Sequence, residues 1–145
     1  MKLLAAIDLH TAPEAVVREA GTWAARLGGT VDLLYVDDTP DAAVFVGDPN
    51  VRAIVVEERD ALLAKHAAAV QALLAQLPDA VRGAALCLPG LPADVTVERA
   101  DAYDAVLVAT HGRTGLSHLW LGSVAEQVVR RAHVPVVVLR LPEPG

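Results

Sequence analysis

The chain is 145 residues long, with 54% hydrophobic, 21% charged and 3% aromatic residues and a net charge of −6. The acidic balance and the lack of a basic stripe argue against a nucleic-acid-binding protein. No uncharged apolar run approaches the roughly 20 residues of a membrane-spanning helix, so no membrane span is expected. We therefore expect one globular domain over residues 1–145, and the lone Cys87, in an apolar run, predicts a buried thiol and a reducing cytoplasm.

A strand and a helix are predicted at the start of the chain. The near-continuous apolar run over residues 2–8 is typical of a strand covered on both faces, and it ends in the carboxylate of Asp8. Thr11 and Glu14 have the spacing of a capping box. Apolar residues at helical spacing then predict a helix over residues 12–27.

A second strand and a loop follow this helix. Gly28 is expected to end the helix as a left-handed cap, and the β-branched and aromatic residues over 30–36 predict the strand. Residues 37–48 carry Asp, Thr, Pro and Gly, which indicates a loop. Within it, residues 44–46 are expected to pack as a small apolar plug.

A long second helix is predicted next. Asp48 followed by Pro49 is typical of an N-cap and first turn, and Pro78 stops the helix. Seven residues share one helical face and are expected to pack on the core: Val51, Val55, Leu62, His66, Val70, Leu73 and Leu77.

Strand and helix patterns alternate to the end of the chain. The predicted elements are a strand over 81–88, a helix over 93–102, a strand over 105–109, a helix over 123–132 and a strand over 135–141. Repeated alternation of this kind implies an α/β fold, an open parallel sheet with helices on both faces.

A glycine-bearing loop joins the fourth strand to the fourth helix. It holds Gly112, Gly115 and Gly122, and Ser123 opens the helix. Backbone N–H groups converge on anions at such junctions, so phosphate is the first ligand to consider. Ligands bind beyond the carboxyl ends of parallel strands, so we expect Asp8 to face the same crevice and accept a hydrogen bond from a sugar or base.

The stretch ATHGRTGLSHLWLGSVAEQVV resembles the carboxyl-terminal signature of the universal stress protein family. Members that bind ATP carry Gly, two residues, Gly, nine residues, Gly, then Ser or Thr. Gly112, Gly122 and Ser123 match this pattern, whereas Ala109 stands at its first glycine. The resemblance also covers Asp8 and the closing VPVVVLR, and it implies a three-layer, five-stranded parallel sheet of order 3-2-1-4-5, of the adenine nucleotide alpha hydrolase-like type.

The resemblance also implies a binding site and partners. Asp8 and Val36 would contact the adenine region, Ala109 and Gly112 would border the ribose and phosphates, and Gly122, Ser123 and Val124 would bind phosphates, with Arg113 and Gly115 in the same loop. The expected ligand is ATP or a related adenine nucleotide, with Mg²⁺ as its companion. A homodimer through strand five is expected as well.

Structural roles remain open for several of these residues. Ser123 and Glu126 form a capping box by spacing, and Gly112 and Gly115 also suit simple turns. Asp8 also suits a cap on the connection into the first helix.

An alternative function remains open too. Because Ala109 departs from the pattern, the chain could be a nucleotide-free member that acts through dimerisation and protein partners. No residue set supplies an evident general base, so an enzyme is not expected, although slow or partner-dependent hydrolysis stays open.

Overall fold

The structure is a computed structural model that describes residues 1–110 and 122–141. Five parallel strands form one sheet: β1 Lys2–Ala6, β2 Thr30–Asp37, β3 Arg82–Pro89, β4 Ala105–Thr110 and β5 Val136–Arg140. Their order is β3-β2-β1-β4-β5, so the predicted fold class and strand order are confirmed. The carboxyl ends of β1, β2 and β4 therefore lie side by side at one edge of the sheet.

Helices cover both faces of this sheet: α1 Pro13–Arg26, α2 Pro49–Leu74, α3 Pro92–Ala100 and α4 Ser123–Arg131. Side chains alternate along β2, so Leu33 and Tyr35 join a core cluster with α1 and α2. Leu34 and Val36 point the other way and join the cluster with α3 and α4. None of the helices in the described ranges combines the length and apolarity needed to cross a bilayer.

The carboxyl end of α1 forms as predicted, but its amino end does not. Gly28 adopts φ +68 and ends the helix as predicted, with the N–H of Gly29 donating to the carbonyl of Ala24 at 2.9 Å. The capping box at the other end is wrong. The N-cap is Ala12, which adopts φ 45 and has no side-chain cap, because the hydroxyl of Thr11 donates instead to Asp8 at 3.2 Å.

The predicted start of α2 is confirmed, but only part of its predicted face is buried. The Asp48 carboxylate accepts from the N–H of Asn50 at 2.8 Å. Val51 is 47% exposed and Leu62 39% exposed, whereas the buried positions lie toward the other end: Val70, Leu73 and Leu77. At about 1.5 Å per residue this 26-residue helix is roughly 39 Å long, against roughly 26 Å for the eight-residue β2, so its first half extends past the sheet.

The loop before α2 contains a 3₁₀ helix, Ala42–Phe45, in place of the predicted apolar plug. Ala43 is buried there, and its N–H donates to the Asp41 carboxylate at 3.2 Å. Val44 and Phe45 are 67% and 88% exposed, so the plug prediction is wrong. A short turn with about three residues per turn directs one of these side chains inward and its neighbours outward.

Candidate functional site

A cavity of about 450 Å³ opens at the carboxyl edge of the sheet, a size typical of small-molecule sites. Its walls come from the ends of β1, β2 and β4 and from the beginnings of α3 and α4. Six of the predicted site residues line it: Asp8, Val36, Ala109, Gly122, Ser123 and Val124. The other three, Gly112, Arg113 and Gly115, lie outside the described residues.

The amino terminus of α4 forms one end of the cavity. Gly122 is the N-cap, and its carbonyl accepts from the N–H of Glu126 at 2.9 Å. The predicted capping box is wrong: Ser123 is the first helical residue, no side chain of the described residues caps the helix, and Glu126 pairs with Arg130 at 2.8 Å. The first-turn N–H groups, which have no acceptor within the helix, are therefore left at the cavity with the positive end of the helix dipole.

Gly122 leaves room beside this helix terminus. A Cβ built on it meets no heavy atom of the described protein within 4 Å, and its φ of −56 suits any residue. Packing against the described residues therefore does not require a glycine at this position. Its lack of a side chain keeps the backbone open to a ligand.

Asp8 lies after β1, because the strand ends at Ala6. The sequence had predicted that the strand extends to Asp8. One carboxylate oxygen accepts from the N–H of His10 at 2.9 Å, and the other accepts from the hydroxyl of Thr11 at 3.2 Å. The side chain thus caps the connection into α1, which was one of the two roles left open. Each carboxylate oxygen has a second lone pair, so the exposed Asp8 can still accept a hydrogen bond from a ligand.

Val36 and Ala109 lie in regular strand positions at the cavity. Val36 is 7% exposed and packs on the α3 and α4 side of the sheet together with Val108. Ala109 pairs with Leu139 within β4 and β5 and packs against the cluster on the α1 and α2 side. The methyl group of Ala109 is therefore accommodated by an ordinary strand and lies on the face opposite the α3 and α4 core.

The sequence profile described as the Universal stress protein family matches residues 1–140. This chain belongs to the universal stress protein family. A universal stress protein of Mycobacterium bovis is 31% identical over 138 residues, which are 95% of this chain and 45% of that protein. The chain spans less than half the length of the first curated relatives that it matches.

Solved structures show the same fold at low identity. The hypothetical protein MJ0577 of Methanocaldococcus jannaschii is 22% identical, with a TM-score of 0.74 and coverage of 99% of this chain and 97% of that one. A universal stress protein solved in complex with cAMP is 21% identical, with a TM-score of 0.55 and coverage of 96% and 95%. At these identities the likeness concerns the fold alone.

In this universal stress protein, the polar cavity residues that the sequence did not predict include His10, Tyr35, Asp38 and Thr96. Asp38 had a visible signal, since it follows the predicted end of strand two. The other three lie inside elements or in the turn after β1, where no motif marks them. Burial, together with the nearby charges of Asp37, Asp38 and Asp8, raises the pKa of Tyr35, so its phenol stays neutral at physiological pH.

Asp37, the last residue of β2, lies beside the cavity residue Asp38 and is 4% exposed. Its carboxylate accepts from Nδ1 of His66 at 2.6 Å and from the N–H of Thr39 at 3.0 Å. Burial alone would raise the pKa of Asp37, but these hydrogen bonds outweigh it and hold the pKa below the ordinary 3.8. The hydrogen bonds of Asp37 fix the end of β2 that forms one cavity wall.

Cys87 lies on β3 beside Tyr35. Its side chain is half-buried, whereas a buried thiol was predicted. Burial and the charge of Asp37 raise the pKa of its thiol, which keeps the thiol protonated near neutral pH. Cys87 does not line the cavity, so it has no part in the candidate site.

Proposed function

We propose that this universal stress protein domain binds ATP or a related adenine nucleotide in the cavity and acts as a nucleotide-dependent stress-response or signalling module in the cytoplasm. The observation that carries this proposal is the amino terminus of α4, which meets the cavity without a side-chain cap from any residue that the structure describes. An anion is the natural partner of such a helix end. In this arrangement Gly122, Ser123 and Val124 hold phosphates.

The opposite end of the cavity suits an apolar ring. Val36 and Leu34 of β2 and Pro92 of α3 line it there. Since neighbouring strands are about 4.8 Å apart, β2 and β4 are separated by roughly 10 Å across β1. That separation leaves room for a ribose between a base at the β2 end and phosphates at the β4 end. Asp8, which follows the middle strand β1, lies between these two ends.

Fold neighbours support an adenine nucleotide as the ligand. One universal stress protein was solved in complex with cAMP, and these two chains share the same fold over nearly their full lengths. The loop residues Gly112, Arg113 and Gly115 would complete the phosphate end, as the family resemblance implies. We propose these three residues as part of the same binding site.

The proposal assigns Mg²⁺ to the nucleotide and no catalytic role to the protein. Within residues 1–110 and 122–141 no three His, Cys, Asp or Glu side chains come together as a metal site. A Mg²⁺ ion would therefore be held chiefly by the phosphates and water, as is common for this ion. Asp8 already accepts two hydrogen bonds in its turn, so we assign no general base and expect occupancy without rapid turnover.

Titration calorimetry with ATP, with and without Mg²⁺, tests the proposal. We expect the wild-type protein to bind, and Gly122→Val to abolish binding, because the added side chain enters the space at the phosphate end without meeting any residue that the structure describes. Gly47→Val is the matched control, since Gly47 is exposed, has the same open surroundings and does not line the cavity. No heat and no thermal shift at millimolar ATP would instead favour the nucleotide-free alternative, a member that acts through protein partners.

A further inference from the structure

Thr96 is an unusual member of the cavity wall because it is both polar and buried. It lies on α3, lines the cavity and is 1% exposed. The carboxylates at the cavity, Asp8 and Asp38, are exposed by contrast. A buried hydroxyl normally has a hydrogen-bond partner, since an unpaired one costs free energy.

The hydroxyl of Thr96 has no hydrogen bond to another described residue, whereas neighbouring polar groups of α3 do: Asp94, for example, pairs with Arg131 at 2.7 Å. Among the described residues, the side-chain atoms that are sealed from solvent without a partner are Nε of Arg59 and Nε of Arg82. Oγ1 of Thr96 is not one of them. Since Thr96 lines the cavity, a ligand there can supply the hydrogen-bond partner that no described residue provides.

Thr96 lies farther from the carboxyl edge of the sheet than the start of α3, on a helix that contacts β2. Pro92 begins α3 at that edge, and Thr96 follows four residues later, roughly 6 Å farther along the helix. The walls around it are apolar, with Leu34, Val36 and Val108 from the sheet. A single hydroxyl at the base of an apolar slot is the arrangement that orients a ring by one polar contact.

We propose that Thr96 is a specificity-determining residue whose hydroxyl accepts a hydrogen bond from the exocyclic amine at C6 of a bound adenine. This inference rests on the proposed function, with phosphates at α4 and the base at the β2 end. The ribose is attached at N9, so the C6 side of the ring is the far side and enters the slot first. Adenine carries one exocyclic polar group, and burying that amine against Leu34 and Val36 without an acceptor would be costly.

Calorimetry of Thr96→Val and Thr96→Ser with two ligands tests the inference. The ligands are ATP and purine riboside 5′-triphosphate, which lacks the C6 amine. We expect Thr96→Val to weaken ATP binding about tenfold, as the loss of one buried hydrogen bond implies, and to change binding of the amine-free ligand less than about twofold. Thr96→Ser keeps the hydroxyl and is expected to retain the wild-type preference for ATP.

Any other result contradicts either the proposed function or the role of Thr96. If the wild-type protein binds neither ligand, the proposed function fails, and the role of Thr96 fails with it. If the wild-type protein binds ATP but Thr96→Val binds both ligands as the wild type does, or weakens both equally, the inference alone is wrong. Thr96→Val is close in shape to threonine, and a thermal melt of each variant shows that the comparison is made on folded protein.

Discussion

Nδ1 of His66 donates a hydrogen bond to the carboxylate of Asp37 at 2.6 Å and thereby connects the second half of α2 to the end of β2. The His66 ring also packs edge-on against Tyr35, with ring centroids 5.4 Å apart. Asp37 is followed directly by Asp38 at the cavity. The connection therefore supports one wall of the candidate site from outside it.

This pair predicts a specific acid sensitivity. The pKa of Asp37 in the folded protein is below the ordinary 3.8, so its contribution to stability is fully present above that pH. The contribution is lost as the pH falls from about 3.8 through the folded pKa. We expect Asp37→Asn to be less stable than the wild type at pH 7 and to lose less stability than the wild type between pH 4 and pH 2, measured by urea unfolding.

Asp38→Asn is the matched control for this experiment, because Asp38 is the exposed neighbour in the chain. It should lower stability at pH 7 much less than Asp37→Asn does. Parallel pH profiles for Asp37→Asn and the wild type would show that the Asp37 carboxylate does not contribute in this way.

Asp32 predicts a stability effect at the other edge of the sheet. It is 6% exposed and accepts from the hydroxyl of Tyr103 at 2.6 Å and from the N–H of Ala84 at 2.7 Å. The second bond bridges a register shift between β2 and β3, where a Cβ on Gly83 would collide with Asp32. Burial and the hydrogen bond to Asp32 also raise the pKa of Tyr103, which therefore remains a donor at all ordinary pH values.

We expect Asp32→Asn to cost about 1–3 kcal/mol, because the charged acceptor of two buried hydrogen bonds is lost. For a domain of this size that corresponds to a fall in Tm of roughly 3–10 °C by circular dichroism. Asp79→Asn is the control, since the Asp79 side chain is 92% exposed, and it should stay within about 0.5 kcal/mol of the wild type. Equal Tm values for Asp32→Asn and Asp79→Asn would contradict the role of Asp32.

Strand β5 predicts a homodimer, as the family resemblance implies. Within the described residues β5 pairs only with β4, and three consecutive valines of β5 are half-buried: Val136, Val137 and Val138. An apolar edge strand of this kind is normally covered. We expect analytical ultracentrifugation at micromolar concentration to give twice the 15.2 kDa chain mass, and Val137→Lys to give a monomer.

The control for the dimer is Ile54→Lys, because Ile54 is 58% exposed on the first half of α2. This variant should remain dimeric. A wild-type monomer would exclude the dimer, and a dimer broken by Ile54→Lys but not by Val137→Lys would move the interface to the exposed apolar side chains of α2. Thermal melts of both variants confirm that each is folded.

Sequence patterns were sufficient for the elements because each strand and helix is encoded locally. The continuous apolar runs marked the parallel strands, and Gly28 and the Asp48–Pro49 pair marked helix boundaries that the structure confirms. Both capping boxes failed. Spacing shows that a side chain can reach a backbone N–H, but Thr11 donates to Asp8 and Glu126 pairs with Arg130, and each competing partner depends on the local backbone.

The candidate site likewise contains some residues that the sequence could predict and others that it could not. Asp8, Gly122 and Ser123 could be predicted because strand ends and helix starts meet at one edge of any open parallel sheet. Thr96 could not, because its burial depends on how α3 packs against β2 and α4. The bond between Asp37 and His66 could not either, since the two residues are 29 positions apart and no local pattern joins them.

By itself, the sequence determined the α/β class, the element order and the glycine junction before α4, because hydrophobic periodicity and backbone preferences act over short distances. The tertiary structure decided which side chains share the cavity, which carboxylates are capped or buried, and how much of α2 packs on the core. Those outcomes depend on contacts between residues that are distant in the chain, and such contacts exist only once the layers have packed.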